Sequence, residues 1–137
     1  MAFYAELLND TAAERARLQS LPIIQDALSG RVTLSEYQRF LVEAYHHVKH
    51  TVPLMMACGA RLPERLEWLR EALTEYIEEE YGHQEWILDD IAACGGDVAS
   101  ARSSVTSAAT ELMVAYAYDT IMPGTPVGFF GMVLGLE

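Results

Sequence analysis

Lysine is almost missing from this chain of 137 residues, where eight arginines and the single Lys49 stand against 20 acidic residues, for a net charge of −11. So few cations argue against a basic face for nucleic acid or an anionic membrane. Cysteine is nearly as scarce. Cys58 and Cys94 are too few for a disulfide scaffold and too far apart for a CxxC zinc or redox motif, which favours a reducing compartment. The opening MAFYAELLND has no basic stretch followed by an apolar one, so no secretory signal is expected and the reading is cytoplasmic. Convincing strand patterns are missing too, and with them any glycine-rich phosphate loop after a strand.

What remains is helical. The spacing predicts a first helix over about Phe3–Gln19 and a short second one from Pro22 to the positive-φ stop at Gly30. Thr33 and Glu36 form a T-x-x-E capping box opening a long third helix towards Cys58, with Pro53 as its natural bend. A fourth runs from Pro63 to about Cys94, broken on the way and closed by Gly95-Gly96, and a fifth covers about Ser107–Ile121. Residues 97–106 read as a connector. Charge is uneven, about −1 over residues 1–60, about −8 over 61–97 and about −2 over 98–137. Without repeats or low-complexity linkers, residues 1–137 read as a single helical domain.

The final segment starts with Thr125 as a cap and Pro126 at the first helical position, after which Val127–Leu136 is apolar on every side. At about eleven residues it is too short to span a bilayer. Such a helix must be covered all round, and Gly128, Gly131 and Gly135 suggest close approach of a neighbour. The pattern stops at Glu137 without a cap, which reads as a domain cut short and leads to the expectation of a homodimer, domain-swapped in one form.

Chemistry concentrates in two segments. With His83 at the origin and about 100° per residue, Leu69, Leu73, Tyr76, Ile77, Tyr81, Ile87, Leu88 and Ile91 form one apolar stripe, and Glu80 falls inside it. Glu78 and Glu79 fall outside, on a solvated face. A carboxylate on a core face is costly unless it is paired or binds a metal, and His83 lies one turn on. Glu-x-x-His facing inward is the arrangement of carboxylate-bridged di-iron and di-manganese bundles, although a Glu–His hydrogen bond at a helix interface has the same pattern. On the third helix, Glu43, His47 and His50 lie within about 60° of one another with His46 beside them, a ligand type suited to iron, manganese or zinc. The apolar stripe of Leu34, Tyr37, Leu41, Val48 and Val52 lies on the other side, so periodicity sends Glu43 to solvent unless the helix is covered on both faces. Buried, inert cysteines are the simplest reading of Cys58 and Cys94.

The segments FLVEAYHHVKHTVPLM, EYIEEEYGHQEWILDDIAACGGD and AYAYDTIMPGTPVGFFGMVLGLE together resemble the haem-oxygenase-like superfamily over about residues 33–137. The resemblance is in particular to its iron-containing redox branch, which includes the non-haem di-iron oxidases and oxygenases related to the decarboxylases that make terminal alkenes. The resemblance implies an all-α haem-oxygenase-like helical bundle, truncated at its C-terminus. It implies that Glu43, the pair Glu80 and His83, and Glu137 are metal ligands, with further ligands expected from a later helix beyond this sequence. It also implies non-haem iron, with manganese as the alternative, together with O2 and a small, carboxylate-bearing organic substrate. His46, His47 and His50 are then surrounding or surface residues. Two rivals stand beside this reading. One is the thiaminase-like hydrolase branch of the same superfamily, which uses a cysteine nucleophile; the other is a non-catalytic interaction module or pseudoenzyme.

Overall fold

The computed structural model describes residues 2–136, and the side chains of residues 3–133. Among them are ten α-helices and no strand, and no helix is long and apolar enough to cross a membrane. The chain divides into two compact units, residues 1–37 and 38–137.

The first unit holds α1 (Ala2–Asp10), α2 (Ala12–Gln19), α3 (Pro22–Leu28) and the start of α4 (Leu34–Val48). One helix was expected across the first two. Thr11 interrupts it, its hydroxyl donating to the Leu7 carbonyl at 2.8 Å beside its own N–H at 3.1 Å, a back-bonding that bends helices. Gly30 takes the left-handed φ of 69° expected of it. The capping box forms reciprocally, as Thr33 N–H donates to Glu36 Oε2 at 2.8 Å and Glu36 N–H donates to Thr33 Oγ1 at 3.3 Å.

In the second unit, α4 is followed by α5 (Thr51–Arg61), a 3₁₀ turn over Glu64–Leu66, α6 (Glu67–Glu80), α7 (His83–Ala93), α8 (Val98–Ser103), α9 (Ala108–Ile121), a second 3₁₀ turn over Pro126–Gly128 and α10 (Phe129–Leu136). The long third segment breaks at Lys49-His50 and not at Pro53 itself. Proline has no N–H for the carbonyl four residues back and its ring clashes there, so the damage falls on Lys49 while Pro53 sits in the first turn of α5. Between α6 and α7 the backbone turns at Gly82, with φ of 95°. That turn ends the phase assumed for the whole segment and leaves Tyr81, expected in the apolar stripe, 76% exposed. The connector also needs correction. Asp97 accepts from the N–H groups of Ala99 and Ser100 at 2.9 and 3.1 Å, an N-cap that starts α8.

Two clusters form the core of this unit. Leu54, Met55, Cys58, Leu62, Leu73, Ala117, Ile121 and Phe129 join α5, α6, α9 and α10, while Leu41, Tyr45, Leu88, Ile91 and Ala101 join α4, α7 and α8. Each large side chain buried this way contributes about 1.5–3 kcal/mol. Of the last segment, Phe129 is buried but Val127 is 40% exposed. Gly128 does permit close approach, because a Cβ there would lie 2.6 Å from the Thr120 methyl; a Cβ at Gly131 would meet no described residue within 4 Å.

Candidate functional site

The sequence pattern groups Glu43, His47 and His50, but the break at Lys49-His50 sends His50 to a different cavity from the other two. Glu43 and His47, with Glu80 and Tyr76 from α6 and Thr110 and Met113 from α9, line an open cavity of about 490 Å³ together with Phe129, Met132 and Val133. His46, Lys49 and His50 line a smaller one of about 280 Å³ with Glu111 and Tyr118.

Glu80 faces the larger cavity with its side chain 19% exposed, whereas Glu78 and Glu79 are exposed, as the helical phase within α6 requires. Its Oε2 lies 3.0 Å from His83 Nδ1, and the His83 ring stacks at a tilt on Trp86 with centroids 4.2 Å apart. The pair therefore meets across the Gly82 turn, from the last residue of α6 to the first of α7.

Glu43 is half-buried, and its company was not foreseen. Its carboxylate accepts from Thr110 Oγ1 at 2.5 Å, Ser107 Oγ at 2.8 Å, Ser107 N–H at 3.1 Å and Thr106 Oγ1 at 3.2 Å. These hydroxyl and amide donors, Thr110 foremost, hold its pKa below the ordinary carboxylate value against the opposing effect of burial. A negative charge at the start of α9 is also favourable to the helix dipole. The signal lay in Ser107-x-x-Thr110, since Ser107 caps α9 by accepting from Thr110 N–H at 3.3 Å.

Burial lowers the pKa of the three histidines of α4 and its end below the ordinary imidazole value, with Lys49 adding to the effect at His46 and His50. Ser104 Oγ donates to the Ala101 carbonyl, so His46 Nε2 donates to Ser104 at 2.8 Å and its Nδ1 accepts from the Lys49 ammonium at 3.0 Å. His50 Nδ1 lies 3.3 Å from the Tyr118 hydroxyl. His47 differs. Its Nε2 is buried without a hydrogen-bond partner among the described residues.

Cys58 is fully buried, donates to the Pro126 carbonyl at 3.2 Å, and has a pKa pushed up by burial to about 11. Burial makes Cys58 a poor nucleophile.

Carboxylate oxygens and imidazole nitrogens around one cavity are donor types that fit iron. Among the described residues, however, no three His, Cys, Asp or Glu side chains converge on a point that could hold an ion. Glu80 and His83 are paired with each other, Glu43 is given to α9, and Glu137 lies outside the described residues.

Residues 38–137 match the family of iron-containing redox enzymes. The chain belongs to that family. Among solved structures, this iron-containing redox enzyme relative is similar to a domain of unknown function with a haem-oxygenase-like fold from Shewanella denitrificans OS217, at 29% identity and a TM-score of 0.77. The match covers 90% of this chain and 54% of that one, so the chain spans about half the length of that structure. Its fold is accordingly all-α and haem-oxygenase-like. No curated protein matches it.

Proposed function

We propose that this member of the iron-containing redox family is a non-haem iron oxidoreductase that uses O2 on a small organic molecule held in the 490 Å³ cavity. The observation that carries the reading is Glu80, a carboxylate turned into a mainly apolar cavity and joined to His83 at 3.0 Å. Glu80 and His83 would hold the ion first. Glu43 would join them on giving up its bonds to Thr110 and Ser107, and Glu137 is the fourth ligand of the proposal. Bound iron would supply a coordination position for O2 and one-electron redox chemistry there. The chain's own contribution is to orient carboxylate and imidazole across a fixed turn and to offer an apolar wall from Tyr76, Met113 and Phe129. The proposal includes a homodimer formed through the partly exposed segment from Val127, which light scattering on a sized sample would detect.

The test is anaerobic loading with ferrous iron followed by mixing with O2. Oxygen uptake and ferric absorption above those of free iron, lost in Glu80→Ala, are expected. Uptake equal to that of free iron would overturn the reading.

A further inference from the structure

Lys49 is the chain's single lysine, and among the described residues it forms an ion pair with none of the acidic side chains. The break between α4 and α5 places it, with His50, on the wall of the 280 Å³ cavity. One ammonium hydrogen goes to His46 Nδ1 at 3.0 Å, and the ammonium stands 5.5 Å from the centre of the Tyr45 ring. Neither partner carries a negative charge. An ammonium has three donors, so its charge and two of its hydrogens have no answer among the described residues.

His50 supplies a second polar group on the same wall. Its Nδ1 lies 3.3 Å from the Tyr118 hydroxyl, while its Nε2 has no partner among the described residues and, unlike that of His47, is not buried. Besides burial, the charges that act on His50 are those of Lys49, His47 and His46, and each lowers its pKa, so the surroundings of this ring are electropositive in a chain of net charge −11. Glu111, the acidic residue of the lining, is exposed and forms no ion pair with Lys49. A cation without a counter-ion beside an open imidazole nitrogen is the donor set that holds an oxyanion through charge-assisted hydrogen bonds. We propose that Lys49 and His50 form a binding site for a small oxyanion, a phosphate or carboxylate group, in the 280 Å³ cavity. Its volume lies below the usual range of drug-sized pockets, which keeps the occupant small. The inference goes beyond the iron reading and does not depend on it.

The experiment titrates the full chain, freed of metal with chelator so that no iron takes up the anion, with inorganic phosphate and separately with acetate. Ionic strength is held constant with sodium chloride, and the amide NMR signals of residues 46–51 are followed. A saturable shift of these signals is expected, and the anion that binds more tightly identifies the group. Lys49→Gln should weaken binding about tenfold, the usual worth of one hydrogen bond to a charged group, whereas Lys49→Arg should stay within about threefold of the parent chain. Glu111→Gln, which takes a negative charge from the same wall, should bind at least as tightly as the parent. Shifts that rise linearly with both anions would overturn the proposal. So would the same shifts from sodium chloride alone, unchanged affinity in Lys49→Gln, or weaker binding in Glu111→Gln. If Lys49→Gln fails to fold by circular dichroism, His50→Phe takes its place, because it keeps a ring against Tyr118 and removes the open nitrogen. Binding about fivefold weaker is then expected, and unchanged binding would overturn the proposal.

Discussion

Glu80 Oε2 and His83 Nδ1 lie 3.0 Å apart although a left-handed glycine turn stands between their helices. In an unbroken helix i and i+3 would meet by periodicity alone. Here the meeting depends on Gly82, which ends α6 and starts α7 at an angle that still brings carboxylate to imidazole.

Gly82→Ala should therefore weaken both the fold and the pair. Nothing lies within 4 Å of a Cβ at Gly82, so the cost is the strain of its φ of 95°, about 1–2 kcal/mol by urea unfolding. Gly131→Ala is the control. It also meets nothing within 4 Å but sits inside α10, and should be neutral or stabilising by about 0.5–1 kcal/mol. Equal losses in the two variants would contradict this.

Glu79 and Glu80 provide a second paired comparison. Glu79→Ala is an exposed substitution and should change stability by no more than about 0.5 kcal/mol, with metal content untouched. Glu80→Ala should lower metal content. Equal effects on metal would show that the inward face has been misassigned.

Glu43 should matter without any metal. Four hydrogen bonds from Thr106, Ser107 and Thr110 end on its carboxylate, so Glu43→Ala removes a cap of α9 as well as a candidate ligand. A loss of about 1–2 kcal/mol is expected in chelator, measured by urea unfolding. No loss would mean that these bonds are exchanged for water at no cost.

The three histidines set a pH dependence. His46, His47 and His50 have folded-state values below the ordinary 6.5, so below that pH the unfolded chain binds protons that the folded chain does not. Stability should be full above about pH 7 and fall as pH drops through 6.5 towards the depressed values. Urea midpoints at several pH values between 8 and 5 test this, and His47→Gln should flatten part of the slope. A flat profile over that range would contradict it.

Local signals were legible wherever the chemistry is local. Thr33-x-x-Glu36, Gly30 and Gly95 act within one turn of chain, and each does in the structure what its residue type demands. Pro53 announced a bend, but its effect falls on a carbonyl four residues earlier, which is why the break sits at Lys49. Gly82 was passed over because a helical wheel carries its phase through any residue, and Tyr81 was misplaced for that reason. Glu80 was legible because its neighbours within α6 fix the phase. Glu43 was not, because the hydroxyls that take it from solvent come from Thr106–Thr110, more than sixty residues away.

Metal content tests the central claim most directly. The protein is grown with iron and manganese, purified without chelator or a histidine tag, and measured by elemental analysis beside Glu79→Ala, Glu80→Ala and His83→Ala. The account predicts iron at no more than one ion per chain, easily stripped by chelator because no closed ligand set is formed by the described residues, retained in Glu79→Ala and lost in the other two. Two tightly held ions per chain, no iron at all, or iron unchanged by Glu80→Ala would contradict it.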